Sequence, residues 1–110
     1  MWYQIINKGN CNGNYIETSS SLMFIYCFAK GVNKGYLPDK FFQVAEESFK
    51  SIIDNFITVD EKNLICLQNT VSVGGLGGNP YRDGSFDYYI SEPIRINDFK
   101  RIRSFDVGCN

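Results

Sequence analysis

The chain has 110 residues, with no histidine, four cysteines, 15% aromatic residues and a formal net charge of −1. Without histidine it supplies no Ser-His-Asp or Cys-His catalytic group, no His-x-x-x-His metal site and no imidazole switch near neutral pH. Eleven basic residues against twelve acidic ones, with no local Lys/Arg cluster, leave no electrostatic footprint for nucleic acid.

Chemistry on this chain has to run on carboxylates, hydroxyls, amides and aromatic rings, and no cofactor is implied. The length fits one domain or a piece of a larger one, and 44% hydrophobic residues suffice for a core. Cys11, Cys27, Cys66 and Cys109 are scattered with no C-x-x-C pair, which argues against a metal site. Cys27 and Cys66 lie in apolar surroundings and read as small core residues. The start, MWYQIINKGN, lacks the basic head and apolar run of a secretory leader, and no stretch approaches the roughly 20 apolar residues of a membrane span. A soluble protein of a reducing compartment is the default, the cytoplasm before the periplasm.

In chain order, Trp2 to Ile6 reads as an aromatic strand, followed by a Gly/Asn-rich loop from Lys8 to Asn14. A first helix is predicted over Thr18 to Asn33, with the hydroxyls of Thr18, Ser19, Ser20 and Ser21 placed to cap it. Its body, Leu22 to Ala29, covers every face with apolar groups, which predicts burial all round. After a short Gly35-Tyr36-Leu37 connection, a second helix is predicted from Pro38 to Phe56. Its apolar positions Phe42, Ala45, Phe49, Ile52 and Phe56 form one stripe, opposite Glu46, Glu47, Lys50 and Asp54. Ile57 to Val59 and Leu64 to Val73 read as two short strands about a turn. Glycines dominate 74–78, polar and aromatic residues dominate 81–93, and the tail from Ile94 carries no assignment.

Three segments are candidate sites. The loop of Gly74, Gly75, Gly77 and Gly78 either cradles phosphate or lets a ligand approach the backbone; it lacks the Walker lysine and serine. Glu17 and the hydroxyls after it are either a helix cap or the polar rim of a cavity. Tyr81 to Tyr89 is either a carbohydrate site of rings, Arg82 and Asp83, or a packed loop with an Arg82–Asp83 or Arg82–Asp87 pair.

Trp2 to Ile6, then Gly13 to Phe24 continuing through Ala29, Lys30, Gly31, Gly35, Tyr36 and Leu37, then Tyr81 to Pro93 with Asn97 and Asp98, together resemble the unsaturated rhamnogalacturonyl hydrolases. These are glycoside hydrolases of family 105, related to family 88. The resemblance runs to about Lys100, and the segment beyond it diverges. It implies an all-α, six-hairpin (α/α) toroid of which this chain is the C-terminal part, with a small β-hairpin and Met1 an internal or truncated start. It also implies a reaction in which an aspartic acid protonates the C4=C5 double bond of a non-reducing-end unsaturated uronic acid and water adds at C5. No segment here matches the family's acid, so no catalytic residue is assigned. Trp2, Glu17, Ser19, Arg82, Asp83 and Ser85 are expected to face an oligosaccharide ending in an unsaturated uronic acid, and the missing N-terminal part of the barrel is the expected partner. The alternatives are a free-standing carbohydrate-binding or interaction module and an inactive gene remnant. The free-standing module predicts a cooperative melt by the chain alone.

Overall fold

A computed structural model describes residues 1–97. Two antiparallel helices carry the fold, α1 (Thr18–Asn33) and α2 (Lys40–Phe56). Four short strands follow, β1 (Ile57–Val59), β2 (Ile65–Leu67), β3 (Thr70–Val71) and β4 (Ile94–Arg95), with α3 (Phe86–Ser91) between the last two. The fold is mostly helical with a small β-hairpin, as the sequence implied, and is consistent with a piece of a six-hairpin glycosidase.

The aromatic start does not make a strand. It contributes a single bridge, Tyr3 to Ile16, and then coils into a 3-10 turn at Ile6–Lys8. The Asn14 side chain holds that turn by donating to the carbonyls of Ile5 and Lys8, so local polar bonding wins over strand propensity.

The first helix has the predicted bounds, but its cap and its burial differ. Glu17 caps it, accepting from the amides of Ser19 and Ser20, while the hydroxyls bond elsewhere. Its buried residues are Thr18, Ser19, Ser21, Leu22 and Ile25, all on one side. Met23 is 42% exposed and Cys27 is exposed. The apolar girdle is thus covered on one flank within the described residues. Cys66 is only half-buried, so neither of the cysteines assigned to the core sits in it.

The connection turns on Gly35 at φ +73, with the amides of Tyr36 and Leu37 returning to the Gly31 carbonyl. The second helix starts at Lys40, two residues later than the sequence predicted, with Asp39 at the N-cap position but making no side-chain capping bond. Its inner stripe keeps Ala45, Phe49, Ile52 and Phe56 as predicted and differs only at its start, where Phe42 is 42% exposed and Phe41 instead meets Phe28 with ring centroids 5.2 Å apart. Ala45, Ser48 and Ile52 are the buried positions, and Glu46, Glu47, Lys50 and Asp54 face solvent as predicted. Leu22, Ile25, Ala45, Ile52 and Leu67 form the core, with Trp2, Phe28, Phe49 and Phe56 packed around it.

β1 and β2 pair as the predicted hairpin, with Ile57 opposite Leu67. The long second strand is split, because Asn69 adopts φ +57 and redirects the chain after Leu67. β3 then pairs with β4, Thr70 opposite Arg95, a partner the sequence did not suggest. The tail beyond Asn97, including Asp98 and Cys109, lies outside the described residues.

The exchange of Phe42 for Phe41 at the start of the stripe gives a direct test. Phe41→Ala is expected to cost about 2 kcal/mol of helix-pair protection and Phe42→Ala less than about 1 kcal/mol. Amide hydrogen exchange across α1 and α2 measures both, and the reverse order would restore the stripe read from spacing.

Candidate functional site

Glu17 is 1% exposed and lies where three segments meet. Its Oε1 accepts from the Ser19 hydroxyl at 2.7 Å, the Ser19 amide at 3.3 Å and the Val71 amide at 3.0 Å. Its Oε2 accepts from the Ser20 amide at 2.6 Å. Burial pushes the carboxyl up, but the hydrogen bonds from Ser20, Ser19 and Val71 outweigh it and hold the group below the ordinary glutamate range.

The neighbouring hydroxyls complete the junction. Thr18 donates through Oγ1 to the Gln68 carbonyl at 2.7 Å, and its amide donates to the Asn69 carbonyl. Ser21 Oγ accepts from the Trp2 amide at 3.0 Å, and the Glu17 amide donates to the Trp2 carbonyl. The Trp2 ring lies on Phe24 and Phe28, at 5.1 and 5.7 Å. Trp2, Glu17 and Ser19, three of the sequence candidates, therefore come together, and the side chains of Glu17 and Ser19 are turned into the protein.

The other three candidates sit on the late loop. The glycine segment admits Arg82: a Cβ on Gly75 or Gly78 would lie 3.0 and 3.1 Å from its Nη1 and Nη2. Gly77 and Arg82 exchange both backbone hydrogen bonds, and Arg82 Nε donates to the Gly77 carbonyl at 3.0 Å. The close backbone approach that the glycines permit is thus made by the chain's own guanidinium. Among the described residues Arg82 forms no ion pair with Asp83 or Asp87. Asp83 Oδ1 accepts from the Ser85 amide at 2.9 Å, which holds its carboxyl below the ordinary range. Ser85 caps α3, accepting from the Tyr88 amide at 3.1 Å.

An open cleft of about 390 Å³ is lined by Asn79, Pro80, Tyr81, Arg82, Tyr88 and Glu92. The Tyr88 hydroxyl at its wall is shielded from solvent and turned to the Glu92 carboxylate. Its hydrogen bonding to Glu92, together with burial and the charge of that carboxylate, raises the phenol's pKa, and Arg82 works in the opposite direction. The Tyr15 hydroxyl is buried and has no hydrogen-bond partner among the described residues, and its pKa is pushed up to about 12 by burial and by the carboxylates of Glu17 and Glu92. Glu92 acts on both phenols, so the field of one carboxylate spans the end of the N-terminal segment and the late loop. Tyr15, Tyr88 and Glu92 were not singled out from the sequence. The four-residue spacing of Tyr88, in a short helix, and Glu92, just past its end, was the available signal.

Residues 1–105 match the family model described as Glycosyl Hydrolase Family 88. The chain belongs to glycoside hydrolase family 88. A solved structure, that of a family 105 glycoside hydrolase from C. acetobutylicum ATCC 824, is 45% identical, with a TM-score of 0.91 over 97% of this chain and 30% of that one. Protein Atu3128 of Agrobacterium fabrum and a 24.9 kDa protein in the picA locus of Rhizobium radiobacter are each 32% identical over 108 residues. This family 88 chain spans 46% of the length of each of those relatives. Among the described residues no three His, Cys, Asp or Glu side chains group as a metal site, and no helix is long and apolar enough to cross a membrane.

The junction predicts a pH response. With its pKa depressed in the folded state, Glu17 stabilises the fold fully above its ordinary value of about 4.3, and the effect drains away as pH falls through the folded value. The Ser20 and Val71 amide proton shifts should titrate together with a midpoint below about 4.3. Glu17→Gln should abolish that titration and weaken protection around Val71 by about 2 kcal/mol. A midpoint above the ordinary value would show that burial wins.

Proposed function

We propose that this chain forms one wall of the sugar pocket in a glycoside hydrolase that hydrates the C4=C5 double bond of unsaturated uronic acid at the non-reducing end of pectin (rhamnogalacturonan) oligosaccharides. The observation that carries the reading is the open cleft in which the Arg82 guanidinium, the exposed Tyr81 ring and the Glu92 carboxylate line one space.

Each group in the cleft suits a feature of such a ligand. The Arg82 guanidinium, held from behind by the glycine loop, presents its remaining donors to a uronate carboxylate. Tyr81, 79% exposed, offers an aromatic face to a pyranose ring. Glu92 accepts from a sugar hydroxyl. Asp83 and Ser85 shape the loop that carries Arg82, while Trp2, Glu17 and Ser19 fix the wall behind it.

The proton comes from elsewhere. A general acid for this hydration needs a carboxyl whose pKa is raised toward neutrality. Glu17 and Asp83 are both shifted the other way by the donors around them. The chain's part in catalysis is therefore binding and orientation.

In the assembled hydrolase, Arg82→Ala should lower kcat/KM for an unsaturated uronyl-rhamnose disaccharide by roughly 10- to 100-fold. It should lower that for the methyl ester of the same disaccharide much less. Loss of the double bond's ultraviolet absorbance follows both reactions. Equal kcat/KM in wild type and variant would remove Arg82 from the substrate and the reading with it.

A further inference from the structure

Two glycines of the late loop, Gly77 and Gly78, adopt φ +67 and +86, a backbone conformation that side chains resist. Gly75 lies outside that region, so what it supplies is room. A Cβ there would lie 3.0 Å from Arg82 Nη1, 3.3 Å from Cζ and 3.7 Å from Nη2, so the guanidinium rests against the bare α-carbon. One residue earlier the case is different: a Cβ on Gly74 would meet only the Tyr89 ring, at 3.4 Å, an ordinary contact. The other ties on Arg82 come from Gly77, through the backbone pair and the 3.0 Å bond from Nε.

Arg82 and Glu92 line the same cleft with opposite charges, yet among the described residues they form no ion pair. Opposite charges sharing a partly enclosed space attract, so their separation needs a cause. Tyr88 stands with both of them. Its hydroxyl is turned to Glu92, and the Gly75 amide acts on the same oxygen. A carboxylate engaged by a phenol is held back from a guanidinium that is itself tied to a carbonyl and seated on a glycine. We propose that Gly75 and Tyr88 are positioning residues that keep Arg82 and Glu92 apart, so that a uronate enters between them with its carboxylate on Arg82 and a hydroxyl on Glu92. The same spacing sets the preference for a free acid over its ester, because only the acid gains the guanidinium's paired donors. This inference deepens the sugar reading and rests on it.

The test is made in the assembled hydrolase. Gly75→Ala should raise KM for the unsaturated uronyl-rhamnose disaccharide ~10-fold with kcat held within about twofold, and should change KM for the methyl ester far less. Gly74→Ala should match wild type on both substrates. Tyr88→Phe should lower kcat/KM for the acid ~10-fold, as the released Glu92 pairs with Arg82. Adding Glu92→Gln to Tyr88→Phe should recover most of that loss, since an amide still accepts from a sugar hydroxyl and no longer draws Arg82 away. Exchange of the Arg82 Nε proton with solvent, followed by NMR, should be at least ~10-fold faster in Gly75→Ala than in wild type. A purely structural role would lower activity on acid and ester alike, and the losses in the double variant would multiply. Either of those results, or wild-type KM and Nε exchange in Gly75→Ala, would overturn the proposal. If Arg82→Ala leaves turnover unchanged while Nε exchange responds to Gly75→Ala, the sugar reading falls and the seating of Arg82 on Gly75 stands. Turnover that depends on Arg82 but is indifferent to Gly75→Ala and Tyr88→Phe does the reverse.

Discussion

One buried carboxylate organises the described structure. Glu17 reaches across 54 positions of sequence to the Val71 amide while capping the helix that begins at the next residue. Its own amide ties the chain start to the same point through the Trp2 carbonyl. A buried charge is tolerated only where donors surround it, and here four hydrogen bonds from Ser19, Ser20 and Val71 do so. The N-terminal segment, α1 and the β3–β4 ladder are positioned by that requirement. The late loop in turn springs from β3 and returns through β4, so the placement of the Arg82 cleft follows from it.

The same economy shapes the late loop. Glycines around positions 75–78 leave space that the Arg82 side chain fills from one side, and the bridge between Gly77 and Arg82 closes the loop upon itself. Asp83 and Ser85 spend their hydrogen-bonding capacity on the turn and on the start of α3. The phenol of Tyr88 and the carboxylate of Glu92 face each other at the cleft wall. The loop's polar residues thus divide into those that build the turn and those that line the cleft.

Much of the fold was legible because the physics involved is local. The bounds of α1, the solvated face of α2 and the β1–β2 hairpin follow from spacing and turn residues alone. The misread features share another cause. Phe41 and Phe42 are adjacent, and spacing cannot decide which faces the partner helix until Phe28 is known to lie opposite. Hydroxyls at a helix start are good caps in isolation, yet Thr18 and Ser21 bond to Gln68 and Trp2, and a glutamate takes the cap. The break at Asn69 and the pairing of β3 with β4 depend on chain segments 25 residues apart.

The sequence by itself determined the helix pair, the family and the exclusion of histidine-based chemistry, since these rest on composition, periodicity and an ordered set of motifs. Only the tertiary structure decided that Glu17 and Ser19 face inward, that Asp83 and Ser85 serve the loop, and that Tyr88, Glu92 and Arg82 share a cleft. The reason is that a polar side chain is indifferent, in sequence, between a ligand and a backbone amide. Which one it meets depends on the donors that folding brings within about 3 Å of it.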